Sequence, residues 1–235
     1  MRPDTARRLS DLTTQFYARS AASFSATRQS PWKGWERLIE VCQIDGRADK
    51  RPLHVLDLAC GNLRFERFLA ERVGTVRAWA YDNCDELVGQ APCPTTYTHL
   101  DLAEHPGRVS APPCDLCVSF GFMHHLPTHA QRAALLSTLV EHARPGGWVA
   151  VSFWQFAHDA RLLAKARPIE DGEPGDYLLG WQDDAQAQRY CHSFEETQID
   201  ELAASVRGHA REEARFSADG RSKDLNRYLV LRRKG

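Results

Sequence analysis

The chain has 235 residues, 43% of them hydrophobic, and its 31 acids and 30 lysines and arginines leave a formal net charge of −1. That length suits one domain with a sizeable core, and the neutral balance excludes a global field drawing nucleic acid, so such binding would need a local patch. No apolar run is long enough to span a bilayer, and the opening MRPDTARRLSDL lacks the apolar core of a signal peptide, so a cytoplasmic protein is expected.

Residues 4–22 carry helical spacing at Leu9, Leu12, Phe16 and Tyr17. Ser30 and Pro31 read as the N-cap and first turn of a second helix, 32–44, with Trp32, Trp35, Leu38, Ile39 and Cys42 on one side. A polar loop, Arg47 to Pro52, precedes strand 53–58, helix 63–72, strand 76–81, a short helix 84–90 and strand 95–100. Residues 114–120, CDLCVSF, read as a fully buried strand, and their Cys114 and Cys117 as reduced core thiols; the seven cysteines lack a paired zinc spacing. Thr128 and Gln131 form a capping box for helix 129–143, which Arg144-Pro-Gly-Gly147 ends before strand 148–154. Residues 158–192 read as a helix followed by an irregular stretch dense in Gly, Pro and acids, and a loop that long is usually functional. Ser193 and Glu196 suggest a capping box for helix 194–207, and the chain closes on a hairpin, 211–217 and 225–233, around Asp219 and Gly220.

Strands alternating with helices imply parallel βαβ units with right-handed crossovers. In such a sheet, ligands bind at the carboxyl ends of the strands. The segment HVLDLACGNLRF, 54–65, is a strand, a glycine turn and a helix start, with Asp57 near the strand end and Gly61 allowing close backbone approach. One strand later AWAYD ends in Asp82, suited to ribose hydroxyls, and Asp101 follows the third strand. An isolated Asp at a strand end is usually a turn former, but three on consecutive strands fit that reading less well.

The segment is not a dinucleotide fingerprint, since only Gly61 stands in the turn. It resembles the first motif of class I S-adenosylmethionine (SAM) methyltransferases, an acid followed by three alternating glycines, with Ala59 and Leu63 at the first and third glycine positions. That resemblance implies an α/β, Rossmann-like, seven-stranded and mostly parallel sheet with a C-terminal antiparallel hairpin and an N-terminal helical extension. It implies SAM as cofactor, with S-adenosylhomocysteine (SAH) as product. Asp57, Ala59 and Gly61 would then serve the methionine part, Asp82 the ribose diol, Asp101 and Leu102 the adenine, and Phe120 the sulfonium. Residues 1–50 would form a helical extension or lid, and 51–235 the SAM-binding domain with a substrate-lid insertion at about 158–192.

Further segments are similar to the tRNA wobble-uridine carboxymethyl methyltransferases. Residues 16–35 match that family's Y-x-x-x-A-x-x-F-x-x-T-R-x-x-x-W opening at Tyr17, Ala21, Phe24, Thr27, Arg28 and Trp32. LDLACGNLRF, FGFMHHL, DYLLGWQ, RYCHSF and LNRYLVLRRK resemble its later blocks in order, with departures at Ala59, Leu63, Gln182 and Cys191. The resemblance implies esterification of the carboxylate of a 5-carboxymethyl group on the wobble uridine, hence the tRNA anticodon loop as partner and, as in some relatives, a small activator subunit. A carboxylate is already ionised at neutral pH, so orientation is the main task. Arg28, His124, Arg189 and His192 are the candidates to hold it, arginine being suited to bidentate grip. His124, His125 and His129 invite a metal reading, but adjacent histidines fit one tetrahedral shell poorly and no Cys or acid is in view to complete it, so no metal is expected. Trp32, Trp35 and Trp181 read as core or lid packing, and Arg232, Arg233 and Lys234 as a solvated tail. Two other functions stay open: a methyltransferase of a small-molecule metabolite, and a non-catalytic SAM-binding subunit.

Overall fold

Parallel pairing of four hydrophobic strands starts the sheet, and a terminal antiparallel hairpin completes it. In the computed structural model, which describes residues 1–45, 51–182 and 184–235, the strands are β1 (Leu53–Leu58), β2 (Val76–Asp82), β3 (Thr95–His99), β4 (Cys114–Ser119) and β5 (Ala143–Trp154), with β9 (Ala210–Ala218) and β10 (Asn226–Arg233) at the end. Their order is β3-β2-β1-β4-β5-β10-β9. The first five run parallel, while β10 pairs antiparallel with both β5 and β9. This is the class I methyltransferase sheet expected above. The strand order reverses between β1 and β4, which places a crevice at their carboxyl ends.

Helices cover both faces because β1, β4 and β5 are apolar on both. Leu56, Leu58, Cys117, Val149 and Val151 pack against α4 (His129–His142) and α6 (Glu196–Ser205) through Leu135, Leu136, Leu139, Ile199 and Leu202. On the other face Val55, Leu116, Val118 and Ala150 meet α2 (Lys33–Cys42) and α3 (Arg64–Val73) through Trp35, Leu38, Ile39, Phe65 and Leu69. Gly34 is obligatory here, since an added Cβ would lie 2.3 Å from the Tyr228 ring. Its N–H donates to Asp219 Oδ1 (3.0 Å), whose Oδ2 accepts from Tyr228 Oη and Asn226 Nδ2, tying α2 to the hairpin.

Several local expectations change. The helix expected at 84–90 is a turn, because Asp82 Oδ1 accepts the Cys84 N–H and draws the chain back. The helix expected after residue 158 is a short α5 (Ala160–Leu163), but the stretch read as irregular is a three-stranded antiparallel sheet, β6 (Ala166–Pro168), β7 (Asp176–Trp181) and β8 (Asp184–His192). Its Gly and Pro residues sit mostly in the turns between strands. Helix α2 begins after Trp32, not at a Ser30 cap. The box before α6 is Glu195 with Gln198, because Ser193 Oγ is committed to the Ala157 N–H and Glu196 faces Arg227 and Arg215. The basic tail is anchored: Arg233 caps the carbonyls of Glu141 and Ala143, Arg232 lies over Trp148, and Lys234 Nζ donates to Arg207 O. Most of the polar loop expected at 47–52 lies outside the described residues.

The N-terminal helix α1 (Pro3–Ala26) lies along β8. Tyr190 N–H donates to Thr13 Oγ1 (3.2 Å) and Trp181 Nε1 to Ser23 Oγ (3.1 Å). The inserted sheet and α1 thus form one roof above the carboxyl ends of the strands.

Candidate active site

Sheet and roof enclose a cavity of about 600 Å³. Ten of the eleven residues singled out above line it: Arg28, Asp57, Ala59, Gly61, Asp82, Asp101, Leu102, Phe120, His124 and Arg189. His192 does not.

The turn after β1 is built on left-handed backbone. Gly61 has φ +53°, and Ala59 and Leu63 take φ +71° and +56° at the two positions where the resembled motif has glycine. Each non-glycine residue there costs roughly 1–2 kcal/mol. Leu63 recovers it by burial beside Cys60, Ala80, Val88 and Tyr97. The N–H groups of Ala59 and Cys60 both donate to Tyr81 O, and Gly61 N–H donates to Asp82 Oδ2 (2.8 Å). A Cβ at Gly61 would meet no protein atom within 4 Å; it would stand in the cavity.

Three acids mark the ends of consecutive strands. Each Asp82 oxygen accepts one backbone N–H, from Gly61 or Cys84, and keeps a lone pair. Asp101 Oδ1 accepts from the N–H groups of Ala103 and Glu104, and its other oxygen has no protein partner among the described residues. Asp57 is 2% exposed, and its Oδ1 meets no donor. Burial, then the charge of Glu66, pushes its carboxyl well above the usual range. Glu66, on α3, is completely buried with both oxygens unpartnered. The sequence reading missed it, although an acid at a position of α3 that shares a face with Leu69 was the available signal.

The roof carries the cations. Arg28 Cζ sits 3.5 Å above the Phe24 ring and 4.9 Å from Trp181. Burial pushes its guanidinium down to about 10. Arg189 is 6% exposed, lies 4.7 Å over Phe16, and donates to Gly180 O. Among the described residues neither arginine pairs with an acid. Asn62, the residue after Gly61, donates to Ser25 Oγ (3.1 Å) and Arg28 O (3.0 Å), joining the turn to the roof.

The histidines divide three ways. His125 donates Nδ1–H to Tyr190 O (2.8 Å), since a carbonyl only accepts, so its Nε2 accepts from Tyr17 Oη (2.9 Å). Burial, then the charge of Arg189, pushes it down to about 3 and keeps it neutral. His124 stacks between His125 and Trp154 with Nδ1 unpartnered. Burial and the positive neighbours hold it well below the usual range, so it offers a neutral donor or acceptor and no charge. His192 is fully buried: Nδ1 faces Asp176 Oδ1 (2.6 Å) and Nε2 faces Gln198 Oε1 (3.1 Å). That oxygen already accepts the Glu195 N–H, so His192 must donate to it. His192 therefore anchors β8 and does not touch the cavity. Cys191 does lie beside His124 and His125, against the expectation that no cysteine would, with donor atoms of the three within 4.8 Å of one another. Both His125 nitrogens are already engaged, leaving two donors, fewer than zinc takes.

The sheet, the glycine turn and the acid row meet in one further observation. Residues 30–206 match the family described as Methyltransferase domain. The chain belongs to that family. It is a methyltransferase with S-adenosylmethionine as cofactor, and the residues fit that group: open space at Gly61, an unpartnered acid at Asp57, free lone pairs on Asp82 and Asp101, and apolar Leu102. The chain is 30% identical to the mouse (Mus musculus) tRNA (carboxymethyluridine(34)-5-O)-methyltransferase ALKBH8 over 166 residues, 68% of this chain but 23% of that protein. It thus spans less than a quarter of the length of that relative. Its fold is similar to the CcbJ methyltransferase of Streptomyces caelestis (TM-score 0.65, 15% identity, covering 95% and 99% of the two chains). It is also similar to the SAH-bound magnesium protoporphyrin IX methyltransferase of Synechocystis PCC 6803 (TM-score 0.57, 17% identity, covering 86% and 84%). Among the described residues no helix is long and apolar enough to cross a membrane.

Proposed function

We propose that the methyltransferase esterifies a carboxylate, that of a 5-carboxymethyl group on the wobble uridine of cytoplasmic tRNA. The observation that carries this reading is the pair of arginines in the roof with no acid beside them among the described residues, one of them 6% exposed. A buried guanidinium without a counter-ion calls for an anion, and a planar carboxylate matches its fork. The partial similarity to the mouse tRNA enzyme and the matching blocks from Tyr17 to Trp32 support tRNA as its carrier.

The chemistry asks little more of the protein. SAM, when bound, would supply an activated methyl group to the carboxylate oxygen, its sulfur keeping the C–S electron pair as SAH leaves. The acceptor is ionised at neutral pH, so no base is required. Arg28 and Arg189 grip the carboxylate and leave a second lone pair on one of its oxygens free to attack. His124, neutral, donates or accepts one hydrogen bond beside them.

The near-neutral net charge favours a second reading, a small-molecule carboxylic acid as acceptor. Methyl transfer from labelled SAM into tRNA from a host lacking this enzyme, followed by nucleoside mass analysis, separates the two. The tRNA reading expects a base-labile methyl ester on a carboxymethylated uridine, and turnover that weakens steeply from about 50 to 200 mM salt as phosphate contacts release counterions. Label only in metabolite extract, with salt-insensitive turnover, overturns it.

A further inference from the structure

Beneath the glycine turn, two acids meet where the fold supplies no donor for them. Asp57 ends β1 at 2% exposure and lines the cavity, and Glu66 lies behind it on α3 at 0% exposure. Asp57 Oδ1 and both Glu66 oxygens find no hydrogen-bond partner among the described residues. The two carboxyls face each other instead. Two bare carboxylates in such a place repel one another out of water, whereas one proton between them makes a hydrogen bond. The ionisable groups around the pair do not relieve it. Cys60 in the turn, Asp82 on β2 and Cys93 ahead of β3 are neutral or negative, and Arg67 on α3 is the single cation among the described residues acting on it.

We propose that Glu66 is the second carboxyl of the site for the cofactor's ammonium: with Asp57 it holds one proton, which leaves to solvent when the ammonium of SAM arrives. The balance is simple. One proton passes to the buffer, one cationic ammonium takes its place, and no covalent bond of the protein changes. Burial pushes both carboxyls up, Asp57 well above the usual range and Glu66 to about 7, in keeping with a proton held between them in the cofactor-free protein. The ammonium is the cation concerned because the sulfonium loses its charge in the reaction, while SAH keeps the ammonium. SAM and SAH are therefore alike at this pair, and 5′-methylthioadenosine, which has neither charge, is not.

Calorimetric titration of the full chain at pH 6, in buffers of different ionisation enthalpy, counts the protons released. At this pH the cofactor's own α-amine stays charged. The expected result is about one proton released with SAM and with SAH, and none with methylthioadenosine, by mass balance at a pair that is protonated below about pH 7. SAM affinity should rise about tenfold from pH 5.5 to 6.5. Glu66→Gln should lose both the release and the pH dependence, since an amide donates to Asp57 without a titrating proton. Binding of SAM without proton release, equal release by methylthioadenosine, release by SAM but not SAH, or release that persists in Glu66→Gln would each overturn the proposal. Should Glu66→Gln not fold, the comparison of the three ligands on the wild-type chain decides.

Discussion

The floor and the roof of the cavity use opposite charges and are held in different ways. The floor presents Asp57, Asp82 and Asp101 from strand ends, and the last two are fixed by backbone N–H groups a few residues away or in the turn after the neighbouring β1. The roof presents Arg28 and Arg189, placed by aromatic faces from α1 and β7 and by no acid among the described residues. A floor tied to the main chain suits a cofactor that is the same in every turnover. A roof held by side-chain stacking, and carrying unneutralised charge, suits an acceptor that brings its own counter-charge. Changes in the floor should therefore read out in cofactor affinity, and changes in the roof in turnover of the acceptor.

The largest test is of what holds the roof in register. His192→Leu removes one of three hydrogen-bond partners of the buried Asp176 carboxylate, and stripping a partner from a buried charge costs about 3–5 kcal/mol. Denaturant unfolding should show that loss, together with a fall in kcat because β8 also carries Arg189. A cost under about 1 kcal/mol would mean that the Tyr190–Arg132 contacts hold β8 without the ion pair.

Next come the arginines themselves. Arg28→Ala or Arg189→Ala should leave SAM affinity within about threefold and lower kcat/KM on the order of 10²-fold, about 2.7 kcal/mol, the size of one lost charge-assisted contact. Loss of SAM binding in either variant would erase the division between floor and roof.

A smaller effect sharpens the floor. Glu66 is ionised in the unfolded chain above about pH 4.5 and stays protonated in the cofactor-free fold up to about 7. The fold binds more protons in that window, so stability falls as pH rises through it, by about 2 kcal/mol in melts from pH 5 to 7.5. Glu66→Gln should flatten the slope. Asp176 acts with the opposite sign. Burial alone would raise it, but hydrogen bonds from His192, Tyr190 and the Glu173 N–H hold it below the usual carboxylate range, so its contribution disappears only in acid, as the pH drops below about 4.

The smallest test concerns the turn. Ala59→Gly relieves a left-handed alanine and adds freedom to the unfolded chain, for a net gain of about 0.5–1 kcal/mol. Calorimetric melting that shows a loss would mean that the Ala59 methyl packs better than its backbone suffers.

By itself the sequence determined the sheet. Apolar runs at 53–58, 76–81, 114–120 and 148–154, separated by helical periodicity, leave a parallel α/β fold as the arrangement that buries them. It also located the glycine turn and the strand-end acids, because those depend on neighbours a few residues away. Tertiary structure decided the rest. The inserted sheet β6–β8 was not legible, since its strands mix polar and apolar residues without a clean alternation and are held by distant partners on α1 and by His125 and Arg132. Whether a histidine faces the cavity depended on partners far along the chain: Asp176 and Gln198 bury His192, while Trp154 leaves His124 open on one side. The meeting of Asp57 with Glu66, and the lack of any acid beside Arg28 and Arg189 among the described residues, are likewise facts about which surfaces come together. Local patterns fix the elements through backbone geometry and periodicity, but the charge state of a site is set by desolvation and by what lies across the cavity, which no run of neighbouring residues encodes.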